Sequence, residues 1–305
     1  MLQRKSGGTI LNVFFQKRSG VYSWGPGLAF VLCLALFLLA DSALAAEDLY
    51  APIKKRLIRD GFSSNLATQL FQPPPAPIFK VIAQTFRLRE SKLNYDQFLA
   101  PPAIMKAQRF LREHSSILAE AEKTYGVDRC VIVGILLVET QLGNYTGRTP
   151  TLAVFSTFAL MDERRNRDKV WSLLTAQDRK RWGREAFDAK LEKRAEWAYQ
   201  EICALARLAS SQSVRVESLH GSVMGAVGWP QFLPTSLVRY GADGNNDGRI
   251  DLYESKDAVF SIANYLRGHG WSQARTRAEK EDVIHHYNKS RPYVNAVLGV
   301  ADRIR

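Results

Sequence analysis

Residues 129–142 read RCVIVGILLVETQL. Apolar side chains occupy every face of the helical wheel over this stretch, so the sequence predicts a helix buried on all sides. Gly126 ends the segment before it and Asp128 is placed to cap the new helix. Into the most apolar helix of the chain the sequence inserts Glu139, whose neighbours at i−4, i−3 and i+3 are Ile135, Leu136 and Leu142. Burial of a carboxylate without an ion-pair partner favours the neutral form and raises its pKa, which suits a general acid near neutral pH. The competing reading is a structural carboxylate, paired with an arginine or a backbone group. Gly143 and Gly147 just beyond predict the end of the helix and open surface beside the acid.

Outward from this helix the periodicity stays helical, and almost no segment alternates like a strand between hairpin turns. Residues 64–70 and 76–88 predict short helices broken by PPPAP at 73–77, and Ile104–Tyr125 predicts one helix ending at Gly126. From Arg164 to about Ser210, long polar side chains with regular Trp, Leu and Ala positions predict an amphipathic helical insertion. Helices are expected at about 255–268 and from Arg291 onwards. There is no internal repeat. The fold class is all-α in two lobes.

With 305 residues, 46% apolar and 24% charged, the chain is a folded globular protein with enough length for two cores. At the front, Lys17 and Arg18 precede an apolar run from Leu28 to Ala40, followed by Ala43 and Ala45 in an Ala-x-Ala pattern. The run is shorter than the roughly 20 residues of a membrane span and has the form of an export signal, with cleavage expected before Ala46. An uncleaved signal anchor is the alternative. Cys33 lacks the small residue that precedes a lipid-modified cysteine. Losing residues 1–45 removes four basic side chains and one acid and lowers the net charge from +12 to +9. Such a surface attracts polyanions in general. With export, a cell-wall polymer is favoured, and no nucleic-acid signature is present. Cys130 and Cys203 remain, as one bridge or as two independent core thiols.

Two further segments carry signals. In GSVMGAVGWPQFLPTSLVRY, residues 221–240, Gly221, Gly225 and Gly228 occupy positions where each glycine costs roughly 0.5–1 kcal/mol against alanine in a helix, so something gains from the missing side chains. In DGNNDGRIDLYE, residues 243–254, Asp243, Asn245, Asp247, Asp251 and Glu254 stand at loop positions 1, 3, 5, 9 and 12, with Gly248 at 6 and the Arg249 carbonyl at 7. This is the spacing of an EF-hand-like calcium loop. A single loop without a pair is expected to hold structure rather than to signal.

The blocks VGILLVETQLGNYTG, GSVMGAVGWPQFLPTSLVRYGADGNNDGRIDLYESKDAVFSIANYLRGHGW and YNKSRPYVNAVLGVADRI, in this order and spacing, resemble the lytic murein transglycosylase B family, glycoside hydrolase family 103. The likeness covers nearly all of the chain from about residue 60. It implies a lysozyme-like helical core with an additional helical lobe and the calcium loop, and peptidoglycan glycan strands as substrate. It places the catalytic acid on Glu139 and the sugar-binding residues on Ser222, Gln231, Tyr265, Tyr287 and Asn288, with the two tyrosines expected to line the groove and stack on sugar faces. Val227 and Leu233 depart from the pattern, standing where Met is expected.

The resulting division is a signal peptide at 1–45, an N-terminal helical region at 46–125, a catalytic core at 126–160 and 213–305 containing the 243–254 loop, and an inserted helical subdomain at 161–212. The expected activity needs no cofactor for its chemistry, with Ca2+ as a structural ion. It cleaves the β-1,4 bond between N-acetylmuramic acid and N-acetylglucosamine, using a single acid and the substrate's own acetamido group to leave a 1,6-anhydro end. The alternatives are a hydrolytic muramidase and a non-catalytic, calcium-stabilised wall-binding protein. A periplasmic monomer is expected, with wall-synthesis or division proteins as candidate partners.

Overall fold

The computed structural model describes residues 48–88 and 94–305, so the expected signal segment 1–45 lies outside the described residues. At the centre is the helix read from 129–142. It runs from Arg129 to Thr140 with the Asp128 side chain accepting from the Cys130 amide, and every residue from Cys130 to Leu137 is buried. Gly134 lets this helix lie close against the C-terminal helix, since a Cβ there would come within 2.7 Å of the Val297 carbonyl oxygen.

In chain order the helices are α1 (Ala51–Arg59), α2 (Ser64–Gln69), α3 (Phe79–Thr85), α4 (Pro101–Glu113), α5 (Ser115–Tyr125), α6 (Arg129–Thr140), α7 (Thr151–Ala159), α8 (Arg164–Ser172), α9 (Ala176–Trp182), α10 (Arg184–Ser211), α11 (Pro234–Tyr240), α12 (Ser255–Gly268), α13 (Arg277–Tyr287) and α14 (Arg291–Ile304). α6 packs chiefly on α14, and α10 on α7 and α11. Among the described residues the only strands are β1 (Thr149–Pro150) and β2 (His220–Gly221), antiparallel with Thr149 opposite Gly221. None of the described helices is long and apolar enough to cross a membrane.

The single helix expected over 104–125 is two. α4 starts earlier, on the Pro101–Pro102 pair, and the chain breaks at His114 (φ −105°, ψ 22°), whose ring lies 4.1 Å from that of Phe110. The expected insertion is helical throughout as α8, α9 and the long α10. Glu201 on α10 is buried and accepts the Thr235 amide and hydroxyl, both at 2.9 Å, so it supplies the N-terminal partners that α11 cannot make internally. Burial is the main cause that pushes this carboxyl above its ordinary range. Cys130 and Cys203 are both buried and free, which settles them as independent thiols.

Candidate active site

Helix α6 ends abruptly. Gln141 (φ 50°) and Leu142 (φ 64°) both take the left-handed conformation before Gly143, with their amides returning to the Leu137 and Leu136 carbonyls at 3.1 and 2.9 Å. Non-glycine residues in that region cost of order 1 kcal/mol each, and such strain tends to gather where the surrounding structure fixes a functional geometry. The helix therefore stops one residue after Glu139, by strained side-chain-bearing residues rather than by the glycines expected to end it. The glycines serve close approach instead. A Cβ on Gly143 would fall 2.3 Å from the Trp229 indole, and one on Gly147 would fall 2.1 Å from the Gly221 carbonyl oxygen. Thr140 adds a bond from its hydroxyl to the Trp229 carbonyl at 3.1 Å and receives the Gly143 amide at 3.0 Å.

The glycine-rich stretch is an arch, not a helix. Val227 and Phe232 exchange backbone hydrogen bonds at 2.8 and 3.1 Å, and the Ser222 amide reaches the Ala226 carbonyl at 2.9 Å. The Ser222 hydroxyl oxygen accepts from the Met224 and Ala226 amides at 3.3 and 3.2 Å, which leaves its proton available to another partner. Gln231 is held left-handed (φ 52°), with its side-chain amide donating to the Gly228 and Thr146 carbonyls at 2.9 and 3.1 Å. The Gln231 carboxamide thus crosses from the arch to the loop after α6.

From the other side, α13 ends at Tyr287, whose hydroxyl donates to the Pro230 carbonyl at 2.6 Å. Asn288 follows in extended conformation (φ −144°), half-buried, with a side chain that makes no hydrogen bond among the described residues. Tyr293 on α14 is only 1% exposed and lies parallel to Tyr287 at 6.4 Å. Burial first, and the negative charge of Glu139 second, hold both phenols protonated well above the ordinary tyrosine range. The Tyr293 hydroxyl closes no hydrogen bond of ordinary geometry, and the carboxylate it faces is that of Glu139. The acid itself is half-buried.

The structure therefore brings Glu139, Ser222, Gln231, Tyr287 and Asn288 onto segments tied directly to one another. Tyr265 is a correction. It is buried at 8% exposure, its hydroxyl donates to the His286 carbonyl at 2.8 Å, and its ring stacks on His269 at 4.2 Å and meets Tyr240 and Tyr287 at 4.8 Å. A ring so enclosed supports Tyr287 from behind and offers no face to a sugar. Two residues went unread in the sequence: Tyr293, and Tyr145, which is 69% exposed on the loop between Gly143 and Gly147. The only signal for either was an aromatic side chain inside a block already singled out.

The 243–254 loop lies between α11 and α12, and its carboxylates are turned onto backbone amides. Asp243 accepts from Asp247 and Gly248, Asn245 from Asp247, Asp247 from Arg249, Asp251 from Tyr253, and Glu254 from Lys256 and Asp257 as the cap of α12. Among the described residues no three His, Cys, Asp or Glu side chains group as metal ligands, so a formed calcium cradle is not evident, contrary to the sequence expectation. The loop does brace the arch: the Trp229 amide donates to the Leu252 carbonyl at 2.8 Å, and the Tyr253 hydroxyl accepts the His220 amide at 2.9 Å and donates to the His220 carbonyl.

A helical core whose central helix ends beside a half-buried acid, with the buried phenol of Tyr293 and the half-buried phenol of Tyr287 in its field, matches the transglycosylase SLT domain over residues 45–281, and the chain belongs to that family. It is 29% identical over 175 residues to the membrane-bound lytic murein transglycosylase B of Escherichia coli K12, a match covering 57% of this chain and 40% of that protein. Among solved structures it is similar to the soluble lytic transglycosylase SltB1 from Pseudomonas aeruginosa, with a TM-score of 0.67 and 24% identity over 83% of this chain and 97% of the other. It is also similar to the Escherichia coli lytic transglycosylase Slt35 in complex with calcium, with a TM-score of 0.64 and 20% identity over 86% and 94% of the two chains. These likenesses establish the all-α, lysozyme-like core.

Proposed function

We propose that the chain is a peptidoglycan lytic transglycosylase, acting on the β-1,4 bond between N-acetylmuramic acid and N-acetylglucosamine. The observation that carries this reading is the setting of Glu139. It is a half-buried carboxylate at a strained helix end, and the phenols of Tyr287 and Tyr293 lie in its field. A hydrolase of the usual kind needs a second carboxylate at a defined separation. A single acid suffices when the substrate supplies the second group. Glu139 protonates the glycosidic oxygen, and the 2-acetamido carbonyl stabilises the sugar carbon as the bond breaks. Glu139, now ionised, then takes the proton of the same sugar's 6-hydroxyl as that oxygen closes on the anomeric carbon. The product carries a 1,6-anhydro ring and no water is consumed.

Ser222, with its hydroxyl proton uncommitted, and Asn288, with an uncommitted carboxamide, are the groups suited to hold the acetamido group or the oxygens beside it. Gln231 and Tyr287 fix the walls. On this reading residues 126–160 and 213–305 form the catalytic core and 161–212 the inserted lobe, and residues 1–45 direct export to the periplasm. The donor set of the 243–254 loop, namely Asp243, Asn245, Asp247, Asp251, Glu254 and the Arg249 carbonyl, is the hard-oxygen set that calcium takes. Calcium there would act structurally, through the loop's hold on Trp229 and His220. Incubation with purified peptidoglycan tests the activity: soluble muropeptides should be released, and an intact insoluble sacculus after prolonged incubation would contradict it.

A further inference from the structure

Two histidines meet behind Tyr265 and take no part in the proposed chemistry. His269 is the C-cap of α12, and His286 stands in the last turn of α13. Their ring centres are 5.0 Å apart, with the ring planes inclined by 32°. Two imidazoles that each give one nitrogen to a tetrahedral zinc ion, at about 2.0–2.1 Å, have ring centres about 5 Å apart. The spacing therefore admits a shared ion.

The hydrogen bonds assign the nitrogens. His269 is half-buried, and its Nδ1 lies 2.8 Å from the Tyr265 carbonyl oxygen, which can only accept. Nδ1 therefore carries the proton, and in the neutral ring Nε2 keeps its lone pair. A backbone carbonyl that fixes the tautomer in this way is the usual partner of a metal-binding histidine. The His286 side chain is exposed and makes no hydrogen bond among the described residues. Burial is the largest cause that holds His269 below the ordinary histidine range, with His286 and Arg239 acting in the same direction and the Tyr265 carbonyl against them. The ring is thus neutral near pH 7, which is the form that binds metal. Arg239 works against a cation here, but both rings stand at helix C-termini, whose negative dipole ends favour one.

We propose that His269 and His286 together bind a late first-row divalent cation, zinc or copper, which clasps the end of α12 to the end of α13. No third His, Cys, Asp or Glu groups with them among the described residues, so water completes the coordination. Imidazole ligands of this kind suit zinc and copper and not magnesium or calcium, which take oxygen. The Tyr265 hydroxyl already donates to the His286 carbonyl at 2.8 Å, so the ion adds a second tie across the joint from which Tyr287 and Asn288 follow. The inference does not depend on the proposed activity.

The probe is zinc chloride, titrated by calorimetry into the full-length chain without a histidine tag. Calcium is kept in excess so that the oxygen donors of the 243–254 loop do not take up the zinc. Saturable binding of one ion is expected near neutral pH, together with a zinc-dependent rise in melting temperature. His286→Ala changes an exposed position and should keep the fold, yet weaken binding at least about ten-fold, since losing even an outer partner of a ligating histidine costs about 10–100-fold. His269→Gln should weaken it as much, and His285→Ala should bind like the wild type. Lowering the pH to about 5, below the ordinary histidine value of about 6.5, should abolish binding, because a protonated imidazole has no lone pair to give. Absence of zinc binding by the wild type, equal binding by His286→Ala, or binding undiminished at the lower pH overturns the proposal.

Discussion

Tyr287 donates its hydroxyl proton to the Pro230 carbonyl oxygen at 2.6 Å, and this bond joins the end of α13 to the arch that carries Ser222 and Gln231. The same phenol lies in the field of Glu139. One side chain thus ties the acid's surroundings to the arch. Tyr287→Phe keeps the ring packing against Tyr265 and Phe232 but strands the carbonyl. A loss of about 1–3 kcal/mol in stability is expected by urea unfolding, with a fall in kcat while the enzyme remains folded. Wild-type turnover in a destabilised Tyr287→Phe would show that the tie is structural only.

Gly147→Ala and Gly61→Ala separate strain from collision. Both glycines are left-handed, at φ 90° and 98°, but a Cβ on Gly147 meets the backbone of Gly221 at 2.1 Å whereas one on Gly61 meets nothing within 4 Å. Gly61→Ala should cost only the conformational penalty, about 1–2 kcal/mol. Gly147→Ala should cost clearly more and should lower activity, because the loop and the arch must part. Equal denaturation midpoints for the two variants would contradict the close approach read here.

Glu201 gives a pH signature. Its folded-state pKa is raised by burial, so between the ordinary carboxyl range and that raised value the folded protein holds a proton that the unfolded chain has lost. Stability contributed by this group therefore falls as pH rises through the window, and the loss is constant above it. Thermal melts of wild type and Glu201→Gln from pH 4 upward should differ in slope, with the variant flatter over that window. Parallel slopes would show that Glu201 is not the group responsible.

The sequence made the central helix legible because its signals are local. Asp128 as cap, Gly126 as stop and an all-round apolar run need no tertiary partner to be read, and Glu139 stands out by contrast with its neighbours. The break at His114 carries no Gly or Pro and depends on the packing of Phe110 and His114. Tyr265 shows the limit more sharply: in sequence it is an aromatic residue in a family block, and only the enclosure by Tyr240, His269 and Tyr287 tells a supporting ring from a sugar platform. The acidic loop was read by spacing, but spacing does not report that its oxygens are turned onto loop amides. Tyr293 was passed over because its importance lies in facing Glu139 from a different helix.

Calcium, if the loop takes it, stabilises only the folded state. The melting temperature of the wild type should then rise with millimolar calcium, and Asp243→Ala with Glu254→Ala should abolish the dependence. Because Glu254 also caps α12, the double variant should melt lower even without calcium, by an amount that a cap is worth, about 0.5–2 kcal/mol. A wild-type melt indifferent to calcium would leave the loop as a self-satisfied brace.

The most direct test of the account is mass analysis of fragments released from purified peptidoglycan by the wild type and by Glu139→Gln. The wild type should release muropeptides one water lighter than hydrolytic products, with 1,6-anhydro ends. The variant should fold and bind glycan yet lose turnover by about 100- to 10,000-fold, as expected when one group makes both proton transfers. Reducing ends from the wild type, or anhydro products from Glu139→Gln at a comparable rate, would contradict it.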